Sequence, residues 1–256
     1  MRRQENNFFK RKKFTNLIFG RQPVYELLKS DKTVDKVLLQ NGLDAAILDE
    51  IKKMAAGKTI PVKYVPPEKL NTLTGGVHQG VIAFTSEIRF DTIEDVLPLV
   101  IEQGKTPLLL MLDGITDVRN FGAIARTAYA AGADAIIIAM QDAAPANAEA
   151  IKASAGALHK ISICREKHFD ETLAFLKLNG LFLAGLDGNA SQNIAQTDLT
   201  IPLVLILGSE ETGISSHVKR HIDALFKLPM QQVFDSYNVS VAAGMALYEV
   251  MRQRIQ

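Results

Sequence analysis

The chain has 256 residues, 47% of them apolar and 22% charged, with a formal net charge of +1. That balance suits one large or two small globular domains and excludes wholesale disorder. No apolar run reaches the ~20 residues that span a bilayer, no apolar leader with a small-residue cleavage site is visible, and a single cysteine, Cys164, is too few for a disulfide or cysteine zinc framework, so the expected setting is the cytoplasm, away from membranes.

The near-neutral total hides an asymmetry. Residues 1–90 hold 16 Lys and Arg against 9 Asp and Glu, whereas residues 91–256 hold 13 against 19. Much of the excess lies in residues 1–13, where Arg2, Arg3, Lys10, Arg11, Lys12 and Lys13 oppose only Glu5. Such a flexible basic arm concentrates a protein near polyanions by counterion release; a solvated solubility tail is the plainer alternative.

Beyond the arm, helices and strands alternate. Tyr25-Glu26-Leu27-Leu28 begins a helix, 34–40 reads as a strand, 44–56 is amphipathic and 60–65 is again a strand. Pro66-Pro67 opens a short helix, and Gly75-Gly76 and Gly80 bracket a loop before a strand at 81–84. A small α/β domain over 14–90 follows from this, then a helical connection over 85–105, its linker helix at 91–105 ended by Gly104. The larger domain occupies 106–256. Its run at 108–112 is continuously apolar, as in a parallel strand covered on both faces. Asn120 reads as the cap of a helix reaching Ala131, Gly132 as its stop, and 135–139 as the next buried strand. Further strands are expected at 161–164, 181–186, 203–207 and 225–228, and a last helix from about Asn238 to Arg254. The fold class is therefore α/β, a mostly parallel sheet with helices on both faces preceded by a small α/β domain.

The familiar ligand fingerprints are missing. There is no G-x-G-x-x-G, Walker A or G-x-S-x-G sequence. His217 and His221 are spaced to share a helix face, but Val218, Lys219 and Arg220 between them point to a polar surface rather than a metal. What stands out is three polar, glycine-containing segments that each follow a strand, where α/β sheets bind ligands. They run from Leu112 to Thr127, from Leu205 to Ser215 and from Leu228 to Met245. Singly, each has a plain reading: Asn120 and Asn238 as N-caps, Arg126 as a surface charge, Gly208 and Gly213 as turn formers with Glu210 solvated, and Ala242, Ala243 and Gly244 as close helix packing. Those readings leave unexplained why all three occur in order along one sheet.

Together they read N-x-G-A-x-x-R-T at 120–127, L-G-S-E-x-x-G-I-S at 207–215, and P-M…S-x-N-V-S-V-A-A-G at 229–244. This set resembles the SpoU/TrmH family of RNA ribose 2′-O-methyltransferases, of the SPOUT class, over about 107–254. The segments F-G-R-Q-P-V-Y-E-L-L at 19–28 and G-G-V-H-Q-G at 75–80 resemble the small RNA-binding domain, similar to certain ribosomal proteins, that precedes the catalytic domain in many members. The two-domain layout is closest to enzymes that methylate guanosine of large-subunit ribosomal RNA. Transfer-RNA enzymes, and a noncatalytic RNA-binding or ribosome-assembly protein of the same fold, are the alternatives.

The resemblance implies a deep trefoil knot, a homodimer through the methyltransferase domain, and methyl transfer from S-adenosylmethionine to a ribose hydroxyl without a metal. It implies a reaction centre of Asn120, Arg126, Glu210, Ser236 and Asn238, and cofactor contacts from Leu207, Gly208, Leu228, Met230, Tyr237 and Asn238. RNA contacts are expected from Arg21, Arg119, Arg126 and the arm residues Arg2, Arg3, Lys10, Arg11, Lys12 and Lys13. Arginine titrates above ~12, so Arg126 is read as a phosphate anchor that orients the ribose rather than as a free base, with Glu210 holding it or neighbouring amides. Val118, Glu211, Gln232 and Tyr237 stand where family members often have proline, glycine, glycine and leucine. The last three bear on cofactor affinity and pocket shape.

Overall fold

The structure, a computed structural model, describes residues 16–231 and 236–255; the basic arm at 1–13 and Gln232 lie outside the described residues. Two compact units divide between Ser86 and Glu87.

In the first unit, β1 (Leu17–Phe19), β2 (Val34–Gln40), β3 (Val62–Val65) and β4 (Val81–Thr85) form a sheet in the order β1-β4-β2-β3. Its pairs are antiparallel except β2 with β3. Period-two alternation sorts the side chains. Val37, Leu39, Val81 and Ala83 pack on one face against α1 (Arg21–Lys29) and α2 (Ala46–Gly57), while Leu38, Ile82 and Phe84 pack on the other against Leu70 of α3 (Pro67–Leu73). Strand β1 and the start of α1 at Arg21 escape the sequence reading; three residues are too few for a visible alternation.

The second unit carries α4 (Ile93–Glu102), β5 (Leu108–Asp113), α5 (Val118–Ala130), β6 (Ala135–Ala139) and α6 (Ala148–Ala153). These are followed by β7 (Ser162–Glu166), α7 (Phe169–Leu178), β8 (Phe182–Leu186), β9 (Gln192–Asn193) and β10 (Leu203–Gly208). Then come α8 (Ser216–Lys219), β11 (Ala224–Lys227) and α9 (Val239–Arg254). All seven strands are parallel, ordered β7-β6-β5-β10-β8-β11-β9. The apolar run of β5 divides between two cores. Leu108, Leu110 and Leu112 meet Phe121, Ile124 and Ala125 of α5 and Ala243, Leu247 and Val250 of α9. Leu109 and Met111 meet Val96, Leu97 and Val100 of α4 and Leu173 and Leu176 of α7. Both faces are thus sealed by helices, which is why no polar residue interrupts the strand.

Two expectations need correction. The connection over 85–105 is helical only from Ile93, because Asp91 adds an extended residue to the edge of β7: its N–H donates to Ile163 O at 3.0 Å, and Arg165 N–H donates to its O at 3.0 Å. Ile88 and Phe90 pack into the larger unit's core, so residues 87–90 belong with that unit. Asn120, in turn, is not the N-cap of α5. Asp117 is, accepting from the N–H groups of Arg119 and Asn120 at 2.9 and 2.8 Å.

Candidate active site

The three polar segments leave the carboxyl ends of β5, β10 and β11, and β5 and β10 are immediate neighbours. The first two are tied together by Asp113. Its buried carboxylate accepts from Ser215 N–H at 2.7 Å and Ser215 Oγ–H at 2.6 Å, spanning 102 positions of sequence. Between them the 208–215 loop folds back on itself through Ser209 and Gly213, whose backbones exchange hydrogen bonds of 3.2 and 2.9 Å. That return brings the chain so close to Gly208 that a Cβ there would sit 2.1 Å from Gly213 C and Ile214 N. Only glycine fits.

The fold-back presents Glu210 to the other two segments. Glu210 Oε1 accepts from Asn238 Nδ2 at 2.6 Å, from Val239 N–H at 3.1 Å and from Asn120 Nδ2 at 3.3 Å. Asn238 Nδ2 also donates to Asn120 Oδ1 at 3.0 Å. Asn238 keeps the capping role expected of it, its Oδ1 accepting from Ser240 and Val241 N–H groups at the start of α9. Because Asp117 caps α5, the Asn120 side chain is released for this cluster. One residue from each segment therefore meets at a single carboxylate. Among the described residues, Glu210 Oε2 and one Nδ2 hydrogen of Asn120 carry no partner, a free acceptor beside a free donor.

Beside the cluster lies a cleft of about 380 Å³. Glu210, Leu207, Gly208, Leu228, Met230, Ser236 and Tyr237 line it, which gathers every residue expected on the cofactor except Asn238, itself bonded to the lining residue Glu210. Tyr237 Oη–H donates to Pro229 O at 3.1 Å, closing the third segment on itself. The apolar walls of Leu186, Leu207, Phe226 and Leu228, with the Glu210 carboxylate among the lining residues, suit a ligand that is part apolar and part cationic. Leu186, Asp187, Asn189 and Lys219 were not anticipated. Their one visible signal is an Asp-Gly turn at 187–188 directly after an apolar strand.

Arg126 departs from expectation. It is exposed on α5, one row with Arg119, and among the described residues it has no hydrogen-bond or ion-pair partner; Glu210 holds the asparagine amides and not this guanidinium. Six residues place Arg126 well around the helix from Asn120, so the two cannot share a face. Arg119 meets Glu149 at 3.6 Å, and Arg21 is held to Gln79 through both its backbone N–H and its Nε. Among the described residues no three His, Cys, Asp or Glu side chains are arranged for a metal ion, and His221 Nε2 lies 2.8 Å from Asp170. No helix of the described residues is long and apolar enough to cross a membrane.

Residues 107–248 match the SpoU rRNA methylase family, and residues 17–90 match the RNA 2′-O ribose methyltransferase substrate-binding family, so the chain belongs to the SpoU methylases. Among individual relatives, it is 35% identical to a putative TrmH family tRNA/rRNA methyltransferase, YacO, of Bacillus subtilis, over 93% of this chain and 95% of that one. It is 38% identical to the 23S rRNA (guanosine-2′-O-)-methyltransferase RlmB of Pseudomonas putida, over 93% and 96%. The fold is shared with the SpoU methyltransferase AviRb of Streptomyces viridochromogenes, solved in complex with AdoMet, at a TM-score of 0.60 and 24% identity over 93% of this chain and 90% of that one.

Proposed function

We propose that the protein transfers a methyl group from S-adenosylmethionine to a ribose 2′-hydroxyl of ribosomal RNA, at a guanosine of the large-subunit molecule. The observation that carries this reading is the meeting of Asn120 and Asn238 at Glu210, which lines a cleft whose residues suit an apolar, cationic ligand. The ribosomal substrate is supported by the relative named as a 23S rRNA enzyme, and the guanosine by the same name.

When bound, S-adenosylmethionine supplies a methyl on a sulfonium, an electrophile with a good leaving group. Leu207, Gly208, Leu228, Met230 and Tyr237 would hold it along the cleft, Gly208 by letting the backbone approach closely. The remaining task falls to the chain's side chains: fix a hydroxyl in line and take up its proton. Glu210 Oε1 locks the two amides, so the uncommitted Asn120 N–H and Glu210 Oε2 remain to donate to and accept from the substrate hydroxyl. Orientation of this kind supplies a large share of rate acceleration. Arg126 stands apart from this cluster within one chain, so in the proposed homodimer its planar fork grips the neighbouring phosphate from the partner copy.

Three structural features belong to the same proposal. The loops around the cleft are tied in a trefoil knot. The protein works as a cytoplasmic homodimer through its methyltransferase domain, supported by the exposed row of Val241, Met245 and Tyr248 on α9. The regions expected over 1–13, 14–90 and 106–256 act as a basic arm, an RNA-binding domain and a catalytic domain, with 87–90 and the linker packed on the catalytic side.

Incubation of the purified chain with methyl-labelled S-adenosylmethionine and either ribosomal or transfer RNA tests this reading. Label is expected in the large ribosomal RNA. Labelling of transfer RNA alone would overturn the substrate, and no labelling of either would overturn the reaction.

A further inference from the structure

One charged pair in the cleft has no part in the reaction just described. Asp187 ends the apolar run of β8, and its backbone N–H is pinned to Phe226 O of β11 at 2.9 Å. Its carboxylate is clamped twice: Oδ2 accepts from Lys219 Nζ at 2.7 Å and Oδ1 from Asn189 N–H at 2.9 Å. The Asp187 side chain is 15% exposed and that of Lys219 39%, and both line the same cleft as Glu210. Lys219 and the Asn189 amide hold the Asp187 carboxyl below its ordinary range, so it stays ionised.

A carboxylate has about four acceptor sites, and these two bonds occupy two. At least two remain, on a group that cannot swing. A fixed ionised carboxylate with paired free lone pairs is the chemistry that recognises two adjacent hydroxyls, as an acidic residue beyond a strand does for a ribose in dinucleotide sites. Its place along the sheet fits. The reaction cluster sits over β5 and β10, and β8 is the next strand on. β8 is hydrogen-bonded to β10, the strand that the Glu210 loop leaves, so the two carboxylate-bearing segments are one strand spacing, ~4.8 Å, apart. In the donor the ribose is bonded directly to the sulfonium through its C5′, so its hydroxyls must sit only a few ångströms from the reacting end, as this adjacency allows.

We infer that Asp187, held by Lys219, accepts hydrogen bonds from the ribose hydroxyls of the donor's nucleoside half and so selects an intact ribonucleoside in the cleft. This rests on the reading of the cleft as the S-adenosylmethionine site.

Calorimetric titration of the full chain with S-adenosylhomocysteine, and with its analogue lacking both ribose hydroxyls, tests the inference without any turnover. For Asp187→Asn, binding of S-adenosylhomocysteine should weaken about 10- to 100-fold, the range for hydrogen bonds to a charged group, while affinity for the dihydroxyl-free analogue stays within about threefold of wild type. Lys219→Met, which leaves the carboxylate but loosens it, should reduce the preference for the hydroxylated ligand by several-fold; it stands in if Asp187→Asn melts early. Equal weakening toward both ligands, or an unchanged preference in these variants, overturns the role of Asp187. Failure of the wild-type protein to bind S-adenosylhomocysteine at all would instead overturn the reading of the cleft.

Discussion

Replacing Glu210 by glutamine probes the cluster with the smallest change of shape. Oε1 accepts three hydrogen bonds, of 2.6, 3.1 and 3.3 Å, from two side-chain amides and one backbone N–H. An amide oxygen in its place accepts without the negative charge, and charge-assisted bonds are about twice as strong as neutral ones. At an exposed site the difference is ~0.5–1 kcal/mol for each bond, or ~1.5–3 kcal/mol for the three. The freed donors are re-solvated in the unliganded protein, and Asn238 still caps α9 through Oδ1, so fold stability should change by no more than ~1 kcal/mol. On the aligned transition state the loss falls in full, which corresponds to a rate lower by at least about 10- to 150-fold, since the amide nitrogen that replaces Oε2 also no longer accepts from the substrate hydroxyl. Single-turnover methyl transfer with saturating donor and RNA reads this directly, alongside a melting curve. A rate for Glu210→Gln within about threefold of wild type, with both ligands still bound, would refute the view that this carboxylate organises the centre.

Other perturbations separate the remaining parts. Gly208→Ala places a Cβ 2.1 Å from the backbone of Gly213 and Ile214. It should cost at least ~2 kcal/mol and lower Tm by ~4–8 °C, with S-adenosylhomocysteine affinity lost in parallel; an unchanged Tm and affinity would show that the loop yields freely. Arg126→Lys keeps the charge and loses the planar fork, so turnover should fall ~10-fold or more with donor affinity unaltered; near-normal turnover counts against bidentate phosphate binding. Arg252 and Gln253 hold the Glu249 carboxyl down to about 2 from its ordinary 4.5. Its stabilising contribution is therefore complete above pH 4.5 and lost as pH falls from 4.5 toward 2. The Tm difference between wild type and Glu249→Gln should be constant near neutrality and shrink across that window; a difference independent of pH would contradict the pairing. Deleting residues 1–13 removes six of the chain's cations and should flatten the salt dependence of RNA binding, each lost phosphate contact reducing the slope by ~0.7–0.9. An unaltered slope would exclude the arm from phosphate contact.

The architecture of the larger unit was legible because it rests on patterns that the chain states locally. Continuous apolar runs such as 108–112 have one stable setting, a strand buried on both faces, and the glycine and polar punctuation between runs fixes the crossovers. The site was legible as a set of three segments but not in its bonding. Asn120 and Asp117 are both good caps, and the sequence alone does not decide between them. The decision comes from Asn238 and Glu210, 118 and 90 positions away, which engage the Asn120 amide and leave the cap to Asp117. Asp113 and Ser215 form their tie across neighbouring parallel strands, a pairing set by strand order rather than spacing. Asp187 and Lys219 went unread for the same reason: each looks like an ordinary surface charge until β8 is placed beside β10. Arg126, conversely, is prominent in its motif yet stands apart from the cluster within one chain.

The proposed reaction is transfer of a methyl group onto a sugar oxygen, directed by the cluster. Nuclease digestion and mass spectrometry of ribosomal RNA treated with the protein and S-adenosylmethionine test it most directly. A single nucleotide carrying a 2′-O-methyl ribose, resistant to alkaline cleavage on its 3′ side and formed at least about 10-fold more slowly when Glu210→Gln replaces the wild type under single-turnover conditions, is the predicted result. A methyl group found on a base, or a ribose methyl that forms equally well in both proteins, would contradict it.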